Sequence, residues 1–164
     1  MGIDPGSHVT GFGVVEGDFG TVRHVASGTI PLDPGLPLCE RLWTLHQEVT
    51  RLAREHGAEE AAVERVFVAR NADSALKLGH VRGVVLLSLH EAGLRVYEYT
   101  PAQVKKTVAG RGRATKAQMI AMVRLLLSLD APLAEDEADA LAIAFTHLLL
   151  CGEQALLAEA MDRL

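Results

Sequence analysis

The sequence lacks several features that mark common protein classes. It has only two cysteines, Cys39 and Cys151, too few for a disulfide scaffold, and neither lies near a second cysteine or a histidine at a zinc-ligand spacing. No basic start followed by an apolar stretch is present. The longest nearly apolar run, 138–150, contains Asp139 and is too short to span a bilayer. These absences predict a cytoplasmic protein that is neither secreted nor inserted in a membrane.

Acidic residues are missing from one long segment, although the chain as a whole carries a net charge of -5. Residues 65–124 contain eleven Lys or Arg against three acids, and residues 99–129 contain six basic residues and no acid. A solvated helix surface is one explanation, but ordinary soluble surfaces intersperse both signs. The uncompensated basic middle therefore favours a polyanionic partner.

The pattern of apolar and turn residues predicts one compact α/β domain, as expected for 164 residues of which 49% are hydrophobic. The predicted strands cover 1–4, 11–16, 21–30, 61–68 and 94–99. The predicted helices cover 38–57, 73–92, 101–109, 115–129 and 136–150, with Thr100-Pro101 and the pair Thr115 and Gln118 as start signals. This order predicts a mixed five-stranded sheet, three antiparallel strands then two parallel, flanked by helices.

Two predicted strands carry a carboxylate where the pattern otherwise indicates core. Asp4 ends the first strand, directly before a turn that an aspartate also favours. Glu64 shares a strand face with the apolar Ala62 and Val66. The alternative explanation for an acid at this position is pairing with a nearby arginine such as Arg65. Burying an unpaired carboxylate costs several kcal/mol, about 3–5 when a charge is left without its partner. Both acids therefore need a compensating partner.

The last predicted helix adds two further inward carboxylates. Asp139 is in line with Ala142 and Thr146 on the stripe that should face the sheet, and Asp136 lies one turn earlier on that stripe. Acids in a first helical turn are also favoured by the helix dipole. Glu135, four residues before Asp139, is the alternative third member, although the helical register favours Asp136.

Four inward carboxylates repel one another and stay ionised only beside cations. Oxygen-only ligands suit hard divalent ions, Mg²⁺ in particular, and two ions about 3.5 to 4 Å apart form a clamp for in-line attack on a phosphodiester. The sequence thus indicates a nuclease in which Lys and Arg hold the polyanion. The candidate catalytic and metal-binding residues are Asp4, Glu64, Asp136 and Asp139.

Four ordered segments resemble the signature segments of RuvC-type Holliday-junction resolvases. They are GIDPGS at 2–7, VERVF at 63–67, NADSALKLG at 71–79 and ADALAIA at 138–144. The resemblance implies an RNase H-like fold over residues 1–150, with 151–164 as a C-terminal helical tail. It also implies a homodimer that makes paired symmetric nicks in four-way DNA junctions, with two Mg²⁺ per active site or Mn²⁺ as a substitute, and that cooperates with a branch-migration helicase complex.

The resemblance places the family's four acids on the same four positions. Phe67 matches an aromatic that stacks on an unpaired base, an interaction of about 1 to 3 kcal/mol, although strand alternation alone favours an ordinary core side chain. Lys105 and Lys116 match lysines near the scissile phosphate, with a solvated surface as the alternative. Contacts to the DNA backbone are assigned to four more basic residues, Arg70, Lys77, Arg111 and Arg113.

The helix at 73–92 is apolar on more than one face, so it is either fully buried or shared with a second subunit. The resemblance implies the dimer contact here. Three other functions compete with the resolvase: a RuvC-like nuclease acting on structured RNA, a non-catalytic junction-binding protein and an actin-like or sugar-kinase ATPase. The ATPase requires a second domain and a second phosphate loop that 164 residues do not supply.

Overall fold

Five strands form one mixed sheet in the described part of the chain. The structure is a computed structural model that describes residues 1–18, 20–65 and 72–161. For residues 18 and 153–160 it describes the backbone only. The strands are β1 (Gly2–Asp4), β2 (Val9–Asp18), β3 (Thr21–Pro31), β4 (Glu60–Glu64) and β5 (Arg95–Tyr99). Their order is β3-β2-β1-β4-β5; β1 to β3 are antiparallel, and β4 runs parallel to both β1 and β5. The predicted mixed sheet is confirmed.

Within the described residues, five helices surround the sheet: α1 (Leu38–Glu55), α2 (Ala72–Glu91), α3 (Pro101–Ala109), α4 (Lys116–Leu126) and α5 (Glu135–Met161). The two predicted start signals have a direct physical basis. Thr100 caps α3 and Thr115 caps α4, and each forms a reciprocal capping box with the glutamine three residues on. These boxes satisfy backbone N–H groups that have no partner inside the helix.

The hydrophobic core lies in two layers, one on each face of the sheet. Ile3 and Val63 belong to the layer beneath α1 and α2, whereas Ala62 and Leu141 belong to the layer beneath α3, α4 and α5. Successive strand residues point to opposite faces of a sheet. The positions of Ile3, Ala62 and Val63 therefore fix the face to which each of the remaining side chains of β1 and β4 points. No described helix contains an apolar stretch able to cross a membrane.

Several element boundaries differ from the prediction; β2 covers 9–18 rather than 11–16, and α4 ends at Leu126 rather than at residue 129. The fourth strand is described as Glu60–Glu64, and the Arg65 N–H donates a hydrogen bond to the Tyr99 carbonyl; the predicted continuation at 66–68 lies outside the described part of the chain. The last helix continues from Glu135 to Met161 without a break at residue 150. Residues 151–161 contain no proline and are rich in Ala, Leu and Glu, which are strong helix formers.

Candidate active site

Two neighbouring parallel strands end in carboxylates. The register of β1 and β4 pairs Gly2 with Ala62 and Ile3 with Val63, so Asp4 and Glu64 end the two strands side by side. Strand alternation points both acids to the face that carries α5. Both side chains are only partly exposed. The sheet therefore fixes two of the predicted site residues on adjacent rigid elements.

Glycines on the same sheet face allow α5 to approach closely. A Cβ at Gly11 would collide with the carbonyl oxygen of Asp136, and a Cβ at Gly2 would collide with the backbone of α5 at Ala140 and Ala144. Gly13 lies against Leu141 in the same way. Only a residue without a side chain fits this interface, and its closeness brings the first turns of α5 across the ends of β1 and β4.

A hydrogen-bonded anchor fixes the start of α5. Glu137 Oε1 accepts a hydrogen bond of 2.7 Å from the Ser27 hydroxyl of β3, and its Oε2 accepts one of 3.2 Å from the Ala134 N–H. His24 Nε2 lies 2.8 Å from the same Ser27 oxygen. The side chain of Glu137 thus ties the first turn of α5 to the sheet, so that turn carries Asp136 and Asp139 in a fixed direction.

Electrostatic interactions show that the four predicted acids lie together. Burial, together with the charges of Asp139, Glu64 and Asp136, raises the pKa of Asp4 from 3.8 to about 7. Burial also raises the pKa values of Glu64 and Asp139, with Asp139 adding to the shift of Glu64 and Asp136 to that of Asp139. We call Asp4, Glu64, Asp136 and Asp139 the acid cluster. The fold brings together carboxylates that are up to 135 positions apart in the sequence.

Glu135, the alternative third acid, has a different partner. Its carboxylate forms an ion pair with Lys116 at the start of α4, and Asp136 rather than Glu135 is among the charges that act on Asp4. The geometry therefore agrees with the helical register that favours Asp136.

Two of the predicted lysines lie beside the acid cluster. The charge of Lys116 lowers the pKa values of Asp4, Glu64 and Asp139, and that of Lys105 lowers the pKa values of Glu64 and Asp139. Lys105 is half-buried on α3, and Lys116 is exposed. The acid-free segment of the sequence thus contributes cations to the edge of the acid cluster.

The other predicted DNA-binding residues lie elsewhere on the surface or outside the described residues. Lys77 is on α2, with its Nζ 2.7 Å from Asp73 Oδ2. Arg111 and Arg113 are exposed between α3 and α4. Phe67 and Arg70 fall outside the described residues, so their predicted roles stay predictions.

Arg82 is a site residue that the sequence analysis missed. It lies on α2 with its side chain only 16% exposed, and its guanidinium donates hydrogen bonds to the Glu64 carbonyl oxygen and to the Glu98 carboxylate. Its charge also lowers the pKa of Glu64. The available signal was a charged residue between the apolar Val81 and Val84 of a helix, the same kind of anomaly that identified the acids.

The expectation that neither cysteine lies at a metal-ligand spacing is wrong for Cys151. His147 precedes Cys151 by one helical turn on α5, and Cys151 Sγ lies 3.4 Å from His147 Nδ1. Residues four apart share a helix face, and the sequence alone contained that signal.

The acid cluster fits a hard divalent cation. All its donors are carboxylate oxygens, which Mg²⁺ and Mn²⁺ prefer, and three of the four acids sit where burial opposes ionisation. Lys116 only partly offsets the burial and the repulsion at Asp4, since the pKa of Asp4 still rises to about 7. A bound divalent ion would supply the missing positive charge.

The sheet order, with acids at the ends of β1 and β4 facing a helix that carries two more, defines an RNase H-like protein with a carboxylate centre. The family model described as "Crossover junction endodeoxyribonuclease RuvC" matches residues 1–147, and the chain belongs to this family of endonucleases. A curated relative of that name from Alkalilimnicola ehrlichii is 52% identical over 160 residues, covering 98% of this chain and 96% of the relative.

Two solved structures of RuvC from Thermus thermophilus have the same fold. One is 40% identical, covers 92% of this chain and 93% of its own, and has a TM-score of 0.82. The other, in complex with a Holliday junction substrate, is 37% identical, covers 93% of this chain and 94% of its own, and has a TM-score of 0.88. The RNase H-like fold is therefore confirmed.

Proposed function

We propose that this chain is a Holliday-junction resolvase, which makes paired symmetric nicks in four-way DNA junctions during recombination and repair. The observation that carries the proposal is the acid cluster, assembled from β1, β4 and α5 in a member of the RuvC family. The complex of Thermus thermophilus RuvC with a Holliday junction substrate supports the same substrate here, because the chains match over nearly their full lengths.

The acid cluster would hold two Mg²⁺ ions, or Mn²⁺ in their place. Such ions lower the pKa of an attacking water and stabilise a leaving oxygen. Asp4 and Glu64 contribute from strand ends, and Asp136 and Asp139 from a helix tied down by Glu137, so the ligand directions are set before a substrate arrives. Arg82 holds the end of β4 through the Glu64 carbonyl oxygen, which leaves the Glu64 carboxylate free for this role.

The basic residues would grip the DNA backbone. Lys105 and Lys116 are assigned to the scissile phosphate because their charges act on the acid cluster. Lys77, Arg111 and Arg113 are assigned to phosphates farther away, which determine affinity and salt dependence rather than sequence choice. Phe67 and Arg70 keep their proposed roles, stacking on an unpaired base and backbone contact, on sequence grounds alone.

A homodimer through α2 would supply two acid clusters for two nicks. Leu76 and Leu87 are each 61% exposed and lie eleven residues, about three helical turns, apart, so they share one side of α2. Val81 and Val85 on the opposite side are fully buried in the core. The exposed apolar side, with Gly79 and Gly83 between the leucines, suits close contact with a second copy.

Further proposals follow from the family alone. They are cooperation with a branch-migration helicase complex, residence in the cytoplasm, and a nuclease domain at 1–150 followed by a helical tail at 151–164. A junction-binding protein without activity would not need four inward carboxylates, and a RuvC-like nuclease acting on structured RNA would not need the NADSALKLG segment at 71–79. The resolvase accounts for both features.

The test compares cleavage of a mobile four-way DNA junction, a linear duplex and an RNA:DNA hybrid, each with and without Mg²⁺. We expect cleavage of the junction only, and only with the metal.

Asp4→Asn and Glu64→Gln should abolish cleavage but leave junction binding intact, because each removes a ligand charge and no lysine. Asp136→Asn should do the same, whereas its neighbour Glu135→Gln should retain cleavage. Loss of binding in both Asp4→Asn and Glu64→Gln would contradict the metal-ligand role, and preferred cleavage of the hybrid would favour the RNA nuclease.

A further inference from the structure

A second set of metal-ligating side chains lies at the other end of β4. Glu60 begins this strand, and His147 and Cys151 lie one turn apart on α5. One ligand atom from each of the three falls within 4.8 Å of the other two. These residues take no part in the acid cluster or in the proposed grip on DNA.

Short contacts already link the three side chains. Glu60 Oε2 lies 3.0 Å from His147 Nε2, and Cys151 Sγ lies 3.4 Å from His147 Nδ1. Tyr99 places its hydroxyl 2.9 Å from the same Nδ1, and Arg95 lies 2.7 Å from the other Glu60 oxygen. His147 is only 5% exposed, so its ring is held in this orientation by packing as well as by hydrogen bonds.

The donor set differs in kind from that of the acid cluster. One sulfur, one imidazole nitrogen and one carboxylate oxygen suit Zn²⁺, whereas Mg²⁺ takes oxygen almost exclusively. Zn–N bonds of about 2.0–2.1 Å and Zn–S bonds of about 2.3 Å imply donor separations near 3.3–3.6 Å in a tetrahedral site. The contacts of 3.0 Å at Nε2 and 3.4 Å at Nδ1 lie close to that range, each at a different nitrogen of the His147 ring. A metal binds one ring nitrogen only. With one nitrogen per ring counted, the three ligand atoms lie within 4.8 Å of one another, so a side-chain rotation of Glu60 or Cys151 would be needed to complete the set.

The two sites are too far apart to share an ion. Four strand residues separate Glu60 from Glu64, about 13 Å at about 3.3 Å per residue. Eight helical residues separate Asp139 from His147, about 12 Å at about 1.5 Å per residue. A metal on His147 therefore has no direct contact with the acid cluster.

Solvent reaches the three side chains through a cleft. Glu60, His147 and Cys151 line it together with His56 and Arg95, and its volume is about 660 Å³. Such a cleft gives an ion access and leaves room for water as a fourth ligand. The Cys151 thiol would lose its proton to solvent on binding, because the thiolate is the ligand form.

We propose that Glu60, His147 and Cys151 form a Zn²⁺ site that joins the start of β4 to α5. The metal would cross-link the two elements that carry three of the four members of the acid cluster, through the start of β4 and the middle of α5. The site belongs to this chain's own residues and does not depend on the proposed nuclease function.

Cobalt titration of the full chain tests the site, because thiolate ligation of Co²⁺ gives a near-ultraviolet charge-transfer band that oxygen ligation lacks. We expect this band to saturate at one equivalent and to persist in excess Mg²⁺. Cys151→Ser should remove it, whereas Cys39→Ser, at an exposed cysteine outside the cluster, should retain it. Retention of the band in Asp4→Asn would separate the site from the acid cluster.

Competition with a chromophoric chelator for Zn²⁺ gives the second measurement. Glu60→Gln should weaken Zn²⁺ binding about 10- to 100-fold, whether Glu60 binds the metal or orients His147. Circular dichroism checks that Cys151→Ser and Glu60→Gln remain folded. His147 is not substituted, because it is packed so deeply that its replacement would disturb the fold. Absence of the band in the wild-type chain, its persistence in Cys151→Ser, or its loss in Cys39→Ser would each overturn the proposal.

Discussion

Asp4 occupies the most crowded position of the acid cluster. Burial first, and then three neighbouring carboxylates, raise its pKa to about 7, and Lys116 acts in the opposite direction. The native state without divalent ions therefore holds a proton at Asp4 over a pH range in which the unfolded chain, with an ordinary pKa of 3.8, has released it. Ionisation of Asp4 opposes folding unless a cation is bound.

This proton sets a pH dependence of stability. Because the native state binds more protons, the contribution of Asp4 to the free energy of unfolding is fully present below the ordinary pKa of 3.8 and is lost as the pH rises through about 7. We expect Asp4→Asn to become progressively more stable than the wild-type chain over this range in the absence of metal. Mg²⁺ should raise the wild-type melting temperature more at pH 8 than at pH 5. Calorimetry of both proteins with and without Mg²⁺ measures this, and parallel pH profiles would contradict it.

Lys105 and Lys106 are adjacent residues of the same charge on α3 and form a matched pair. Lys105 is half-buried and lowers the pKa values of Glu64 and Asp139, whereas Lys106 is exposed and is not among the charges acting on them. We expect Lys105→Ala to lower cleavage about a hundredfold, the scale of one lost transition-state donor, and to reduce the salt slope of junction binding by about 1. Lys106→Ala should change cleavage little. Equal effects in both variants would show that Lys105 is an ordinary solvated surface residue.

At the scale of elements, the contact between α5 and the sheet decides whether the acids meet. Three glycines of β1 and β2 face the backbone of α5, and Gly11 lies against the turn that carries Asp136. Backbone cannot move aside as a flexible side chain can, so an added methyl group must shift the start of the helix.

Gly11→Ala should therefore destabilise the protein by about 1–3 kcal/mol and also lower cleavage. Gly112→Ala is the control, since a Cβ at Gly112 meets nothing within 4 Å. Urea unfolding gives the free energies, and the junction assay gives the activity. A Gly11→Ala protein as stable and active as Gly112→Ala would show that α5 does not need this close approach.

Local rules explain which elements were predictable. Thr100 and Thr115 cap their helices through contacts only three residues long, and strand alternation alone puts Asp4 and Glu64 on one face. The pair between Lys116 and Glu135 and the hydrogen bond from Arg82 to Glu64 instead depend on how separate helices pack. No local pattern encodes those distances, so the four acids were predictable while their cationic neighbours were only partly so.

At the scale of the whole molecule, the described part of the chain contains one acid cluster, whereas two symmetric nicks need two. A two-fold dimer would supply both, and its symmetry would match that of the four-way junction. The apolar side of α2 opposite the core is the surface proposed for this contact, with Leu76 and Leu87 exposed along it.

Leu87→Glu should break the dimer, because it places a charge on the exposed apolar side of α2. Leu125→Glu, at a leucine of α4 that is 71% exposed, is the matched control and should remain a dimer. Light scattering after gel filtration measures the mass of each protein.

On a supercoiled plasmid with an extruded cruciform, paired nicks give a linear product and single nicks give an open circle. We therefore expect linear product from the wild-type chain and from Leu125→Glu, and open circles or no cleavage from Leu87→Glu. A dimeric Leu87→Glu protein that still linearises the plasmid would move the subunit contact away from α2.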